Sequence, residues 1–513
     1  MINTVSEMRA PRNKEALISR GIRRIRCDRL PSMRLIFLLI FSLPVFQACQ
    51  LSPVQKSTAA DVRSLTVLYS NDEHGWMEGR EAGSSAANLL GLWREKEGYT
   101  EDGPFLLLSG GDHWTGPAIS TWFEGEGMVE VMNVMGYDAT AIGNHEFDFG
   151  LDNLERRIHQ ANFPYLAANI KWKEDNSIPD ELGVLAYTII DVNELSVGII
   201  GLSTTDTPRS TNPINVADLS FLEYEPVLRE TIAMMQHQSP DLIFVVAHVC
   251  MSALRPLAAR VADLNISLMG GGHCNELIAE RVGETILIES GGHFRNYARA
   301  HFEYDINRDR LLDSSFSAEQ NLDGVADVDL QAIVSKWRNA SDAELNAVLG
   351  YNAREYAPGD DRLQRAVVES WMRIDSSADI AINNQLALRA PLPEGELTLA
   401  DIVGLLPFEN SIYAVDLSGA EILQVIAEGQ LPFINGLQLE GDDWLLLETG
   451  RPIDVAETYR VLINSFMYEG GAGYDAIARF ATSAFDTAIH YRQPLIDWLL
   501  EQDSSASSPI ELP

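Results

Sequence analysis

Gly143-Asn144-His145-Glu146-Phe147-Asp148-Phe149-Gly150 follows directly on the short apolar run Ala139 to Ile142. A short, mostly apolar run ending in glycine and polar side chains reads as a buried strand that empties into a loop. The same pattern recurs along the first half of the chain. Leu65 to Tyr69 runs into Asn71-Asp72-Glu73-His74-Gly75, and Phe105 to Leu108 runs into Gly110-Gly111-Asp112. Leu242 to Val246 gives way to Ala247-His248, and Ile266 to Met269 to Gly270-Gly271-Gly272-His273. Helical patterns such as Ala86 to Glu97 and Leu228 to Met235 lie between these runs. Short buried strands alternating with helices predict an α/β layer structure. In such a sheet the loops leaving the strands gather functional residues at one edge.

The residues at those strand ends are metal-ligand types. Asp72 and His74 offer an oxygen and a nitrogen on alternate residues. Asp112 has two carboxylate oxygens and can face two cations at once, while Asn144 adds a neutral carbonyl oxygen and His248 and His273 add imidazoles. A mixed N/O set of this kind suits Zn, Mn, Fe or Co rather than an all-oxygen calcium site. A lone Asp-x-His is a weak signal, and a lone histidine is more often a satisfied core residue. The ordered series at successive strand ends is what carries the reading.

At 513 residues the chain exceeds what one core usually serves, so two domains are expected. It carries 74 acidic against 38 basic residues, a formal net charge of −36. That surface repels a phosphate backbone, which argues against a nucleic-acid polymer as partner. A small anionic substrate stays compatible if metal cations reverse the local field. Residues 1–48 differ from the rest: they are basic, and Leu35 to Val45 has the length of a signal-peptide core rather than of a membrane span. Met33-Arg34 offers a more conventional start for such a leader than Met1. Phe46-Gln47-Ala48-Cys49 resembles a bacterial lipoprotein box, but Phe46 and Gln47 depart from it. An extracytoplasmic location is expected, with lipid anchoring through Cys49 and ordinary cleavage both open. Past the leader, Cys250 and Cys274 cannot form a disulfide framework and read as two free, buried thiols. A single bridge between them stays open because each adjoins an expected metal ligand.

Asn71-Asp72-Glu73-His74-Gly75, Gly111-Asp112, Gly143 to Gly150 and Gly271-Gly272-His273 resemble the calcineurin-like metallophosphoesterase signature, in the form found in the 5′-nucleotidase and UDP-sugar hydrolase branch. The resemblance implies a four-layer α/β/β/α sandwich followed by a smaller α+β C-terminal domain. The expected divisions are a metallophosphoesterase domain over 62–321, a linker helix within 322–349 and a substrate-binding domain over 350–500. The linker helix itself is expected over Asp327 to Asn339, and a flexible tail over 501–513. Two divalent metal ions (Zn, Mn or similar) are implied, one held by Asp72, His74 and Asp112. The other would take Asp112, Asn144, His248 and His273. Asn275 stands where relatives place a Gln, Asn or His near the first metal or the phosphate. His145 matches the family's catalytic histidine and Asp148 the carboxylate that orients it. The implied reaction is hydrolysis of a nucleotide's phosphate by a metal-bound hydroxide.

The C-terminal domain of this family binds the nucleoside, and Phe408 and Phe466 resemble the two aromatics that sandwich the base. Asn384 and Arg389 resemble substrate contacts, but the family's glycines between them are Gln385-Leu386-Ala387-Leu388 here. The family's aspartate for the ribose hydroxyls is Ala472. A further substrate-binding arginine has no clear counterpart, with only Arg354 and Arg362 nearby. His113, Trp114 and His293 lie in or near site loops and read as local structure first and substrate-facing second. Nucleotide-sugar pyrophosphatase or phosphodiesterase activity on the same site is the alternative. A third reading is an inactive ligand-binding surface lipoprotein. The partner is a small nucleotide or related phosphate ester, and no oligomeric state follows.

Overall fold

The structure is a computed structural model and describes residues 60–429, 432–481 and 484–512. The expected leader, its start codon and Cys49 lie outside these residues.

Two six-stranded sheets form the first half. In one, Val62–Ser70, Phe105–Ser109, Ala139–Ala141 and Tyr165–Leu166 run parallel, and Asn296–Asp305 and Arg310–Gln320 close the other edge antiparallel. In the other, Leu195–Leu202, Leu242–Ala247, Leu268–Gly270 and Thr285–Ser290 are parallel, between antiparallel Tyr187–Val192 and Leu277–Val282. The strands are apolar on both faces because each sheet is covered twice. Side-chain alternation along Val62–Ser70 shows the division. Leu65, Val67 and Tyr69 meet Val197, Phe244 and Ile288 between the sheets. Leu68 faces the opposite way, onto Leu89, Trp93 and Met132 of the outer helices. Helices Tyr224–Met235 and Met251–Arg260 cover the second sheet with Leu228, Ile232, Leu254 and Leu257. The four layers are therefore helix, sheet, sheet and helix, as expected.

The helix expected over Asp327 to Asn339 spans Val328–Leu345, with Asp327 as its N-cap accepting from the Leu330 N–H. Leu330, Val334, Trp337, Ser341 and Leu345 are its buried stripe. The apolar spacing continues through Ala340, Ala343 and Leu345, which is why it outruns the expected end. Beyond it, a five-stranded sheet orders Phe433–Asn435, Ile380–Asn383, Thr458–Asn464, Ser411–Ser418 and Ala484–His490. Helices Asp361–Trp371 and Gln493–Glu501 pack on it through Val367, Trp371, Leu495 and Leu499.

The final residues correct an expectation. In place of a flexible tail over 501–513, Ile510 and Leu512 are buried in the same core. The Ile510 N–H donates to the Tyr351 carbonyl, and the Ile510 carbonyl accepts from Ala353 at 3.0 Å. The two apolar side chains dock a segment whose Ser and Pro content alone suggests fraying.

Candidate metal centre

Every expected ligand leaves the C-terminal end of a strand. Asp72 follows Ser70, Asp112 follows Ser109, Asn144 follows Ala141, His248 follows Ala247 and His273 follows Gly270. The two sheets are bolted together at this edge. The Tyr69 hydroxyl donates to the Gly271 carbonyl at 2.8 Å, and Asn71 Oδ1 accepts from the Ser290 N–H and hydroxyl at 2.6 and 2.7 Å. The backbone turns sharply here: Asp72, His74, Asp112, His273 and Asn275 all have φ between 45° and 75°. Left-handed backbone at non-glycine residues costs energy and clusters where function fixes geometry.

The polar contacts leave particular atoms uncommitted. Asp72 Oδ2 accepts from Asn71 Nδ2 at 2.7 Å and from the His273 N–H at 2.9 Å, while buried Oδ1 has no hydrogen-bond partner. Oδ1 lies 3.7 Å from His74 Nε2. The Nδ1–H groups of His74 and His248 donate to the carbonyls of Thr115 at 3.1 Å and Gly110 at 2.8 Å. Each ring therefore turns Nε2 toward the centre, the arrangement that orients imidazole for a metal. Asp112 Oδ1 accepts from the His145 N–H at 2.8 Å. Its Oδ2 lies 3.0 Å from His248 Nε2 and 3.9 Å from His74 Nε2, so one oxygen faces both groups of donors.

His248 Nε2 is also 3.2 Å from Asn144 Oδ1 and 3.1 Å from His273 Nδ1. Donors that each bind one cation at about 2.1 Å stand about 3 Å apart around it. Asp112, Asn144 and His273 thus each stand at ligand spacing from His248 Nε2. Burial works against charge on His248, but Asp112 and Asp72 push its ring up to about 10. Burial and the His248 charge push His273 down to about 4. The proton demanded at this point of convergence occupies the place a divalent cation would take, and metal binding would displace it. The unpartnered Asp72 oxygen, the inward Nε2 atoms and the shared Asp112 oxygen together fit divalent metals.

His145 has ligand atoms close to those of His74 and Asp112 as well, but its surroundings mark a different task. Its Nδ1 is 2.7 Å from Asp148 Oδ2, and Asp148 Oδ1 accepts from the Thr211 hydroxyl at 2.9 Å. Nε2 is 3.4 Å from Arg389 Nη2, and the ring stacks on Phe408 with centroids 5.9 Å apart. Burial disfavours the charged ring, yet Asp148 and Asp112 outweigh it and hold His145 above its ordinary value. A guanidinium against Nε2 suits a charge-handling residue better than a ligand.

The other expected residues divide. Arg389 and Phe408 reach the cluster, with the Arg389 guanidinium 5.8 Å above the Phe408 ring. Asn384 is buried and its Oδ1 accepts from Asn464 Nδ2 at 2.8 Å, so that oxygen already has an internal partner. Phe466 packs against the Gly471 turn, where a Cβ would collide with its ring. The bulk that replaces the family's glycines does not converge on the site: Leu388 is buried in the core and Leu386 is 65% exposed. Ala472 holds a left-handed φ of 52°. Asn275 is exposed, its Oδ1 against Gly292 behind Asp72. Arg354 stacks on Tyr356 at 4.5 Å. His113 is fully buried among Ser109, Thr140, Glu73 and Glu146, and Trp114 packs on Tyr165; both are structural. The expectation of two free, buried thiols is corrected. Cys250 and Cys274 form a disulfide, with Cys274 exposed and Cys250 half-buried. It joins the loop after His248 to the loop after His273.

Sequence reasoning missed Glu146. Its Oε2 accepts the N–H groups of Asp112 at 2.9 Å and Gly143 at 2.7 Å, and Oε1 accepts that of His113 at 2.7 Å. One buried carboxylate thus ties the loop of Asp112 to the loop of Asn144. The available signal is a second carboxylate in the loop that also carries Asn144, His145 and Asp148.

Comparisons with known proteins find relatives along most of the chain. Residues 354–479 match the family model described as 5′-nucleotidase, C-terminal domain. The 5′-nucleotidase of Vibrio vulnificus (strain CMCP6) is 26% identical over 500 residues, covering 84% of this chain and 89% of that protein. Protein UshA of Escherichia coli (strain K12) is 26% identical over 488 residues, covering 80% and 86%. The crystal structure of the 5′-nucleotidase precursor from Thermus thermophilus superposes with a TM-score of 0.75 at 21% identity, over 88% of this chain and 98% of that one. The chain is thus similar over most of its length to 5′-nucleotidases, has the fold of a solved 5′-nucleotidase precursor, and carries a match to the 5′-nucleotidase C-terminal domain.

Proposed function

We propose that this protein is an exported 5′-nucleotidase that removes the phosphate of nucleotides at a two-metal centre. The observation that carries the reading is Asp112 Oδ2, which faces His74 on one side and His248, with Asn144 and His273 around it, on the other. Asp72, His74 and Asp112 would hold one divalent cation; Asp112, Asn144, His248 and His273 would hold the second. Such a pair, when bound, polarises a phosphoryl oxygen and activates water near neutral pH.

The chain's own residues supply the rest. Glu146 fixes the spacing of the Asp112 and Asn144 loops through its three N–H bonds. Asp148 and Asp112 raise His145 above its ordinary value, and a protonated ring there would stabilise negative charge developing on the phosphoryl group or the leaving oxygen. Arg389 brings a second cation from the C-terminal domain to the same point. Phe408 offers an aromatic face beside it for a base, a contact that every base can make.

Export is supported by the Cys250–Cys274 disulfide, because such bonds persist in oxidising compartments. No helix among the described residues is long and apolar enough to cross a membrane. The test is hydrolysis, with added Mn or Zn, of nucleoside monophosphates read as inorganic phosphate, of nucleotide sugars read as nucleoside monophosphate and sugar phosphate, and of bis-(p-nitrophenyl) phosphate read as p-nitrophenol. Turnover of a monophosphate is expected. Release from the artificial diester alone would replace the nucleotidase reading with a phosphodiesterase.

A further inference from the structure

We propose that Arg80, Arg295, His293 and Trp76 form a second anion subsite beside His74, which takes a second phosphoryl group of a diphosphate-bearing substrate. The proposal rests on the phosphoesterase reading above and adds a specificity site to it.

The first observation is charge left unpaired in an acidic protein. With 74 acidic residues against 38 basic ones, a carboxylate is seldom far from a guanidinium. Arg63, Arg94, Arg229, Arg338 and Arg460 all have carboxylate partners. Among the described residues, Arg295 and Arg389 are the half-buried arginines with none within ion-pair distance; Arg80 also has none and is exposed, like the other arginines without one. The Arg80 guanidinium instead lies 5.2 Å above the Trp76 ring. Arg295 Nε is buried with no hydrogen-bond partner, an expensive arrangement unless something else completes it. Burial and the charge of Arg295 both draw Arg80 below the ordinary arginine value, and Arg295 follows His293 by two residues. Glu81 and Glu355 act on Arg80 from a distance without pairing to it.

The second observation is position. The His293 ring is 5.7 Å from that of His74 and 5.8 Å from that of Trp76, so the basic group adjoins the metal-ligand cluster directly. His293 Nδ1 is buried and also lacks a partner. The backbone is bent to bring it there: Gly291, Gly292, His293 and Phe294 are four consecutive residues with φ between 55° and 98°. The turn is pinned by the His293 N–H, which donates to the Asp72 carbonyl at 2.9 Å. Left-handed conformation at His293 and Phe294 is a cost that buried Phe294 anchors from below.

Two guanidiniums and an imidazole nitrogen match a phosphoryl group, and an indole face matches the carbon atoms beyond its ester oxygen. Arg389 and His145 already serve the phosphoryl group at the metals, so this second group of donors suits a second one. The shared chemistry is a diphosphate, whether it ends in a free phosphoryl group or continues into a sugar.

The test is steady-state hydrolysis of AMP, ADP and UDP-glucose by the metal-loaded full chain and its Arg80→Ala, Arg295→Ala and double variants. Losing charge-assisted contacts should lower kcat/KM for the diphosphates by about 10- to 100-fold, carried in KM. AMP should change by less than about 3-fold, which also reports that the variants are folded and loaded. A loss confined to ADP assigns the subsite to a terminal phosphoryl group; a loss with both substrates assigns it to the diphosphate itself. Equal losses on AMP, or none on either diphosphate, overturn it. Calorimetric titration with inorganic pyrophosphate gives a readout independent of turnover. Binding weakened about 10-fold or more in the double variant supports the subsite even if no nucleotide is hydrolysed, and unchanged binding overturns it.

Discussion

Replacing Glu146 with glutamine tests how the ligand loops are held. The carboxylate accepts three buried N–H groups, from Asp112, His113 and Gly143. Glutamine keeps the shape and one carbonyl oxygen, which can serve the two donors now shared by Oε2. Its NH2 group would then face the third N–H, leaving a buried donor unsatisfied at a cost of about 1–3 kcal/mol. The two surviving bonds also lose the charge that strengthens them, so a total near 3 kcal/mol is expected. That is a large share of a typical folding free energy of about 5–15 kcal/mol. Urea unfolding of Glu146→Gln in EDTA reads the intrinsic effect, and metal content by mass spectrometry reads the consequence for the loops. Lower stability together with reduced metal content is expected. Stability within about 0.5 kcal/mol of the parent, with full metal content, would refute the role given to Glu146.

Other consequences are as direct. Asp148→Asn removes a charge that holds His145 above its ordinary value, so the His145 pKa should fall. If the cationic ring is the active form, the alkaline limb of the kcat/KM profile should move to lower pH; an unmoved limb would contradict this. Changing both Cys250 and Cys274 to serine opens a loop whose ends are 24 residues apart, and should cost about 3 kcal/mol of stability, measured by denaturant unfolding. Burial pushes Asp138 from 3.8 up to about 6 in the fold, while its Oδ2 accepts the Leu107 N–H at 2.8 Å. Its contribution is therefore complete below about pH 4 and lost as pH rises through 6. Asp138→Asn, which keeps the acceptor, should remove that fall from the stability profile.

Much of the site could be read from the chain because its signal is local. Each ligand directly follows an apolar strand, and parallel strands send such ends to one edge whatever the details of packing. That logic reaches Asp72, His74, Asp112, Asn144, His248 and His273 without knowing which strands are neighbours. It fails where two distant segments must meet. The Cys250–Cys274 bridge depends on the loops after His248 and His273 lying side by side, which strand order alone decides. Arg80 and Arg295 gain meaning only through the acidic partners they lack. Phe408 and Phe466 look alike in sequence, yet one stacks on His145 and the other packs on the Gly471 turn. The tail misleads through composition, since two apolar side chains, Ile510 and Leu512, outweigh its serines.

The central claim is that one carboxylate, Asp112, joins two groups of metal ligands while His145 stands outside both. Metal content per chain, measured on the parent, Asp112→Ala and His145→Ala proteins after loading with Mn or Zn, tests it most directly. Two equivalents are expected in the parent and in His145→Ala, with both lost from Asp112→Ala along with hydrolysis. Two metals retained by Asp112→Ala, or one lost from His145→Ala, would contradict it.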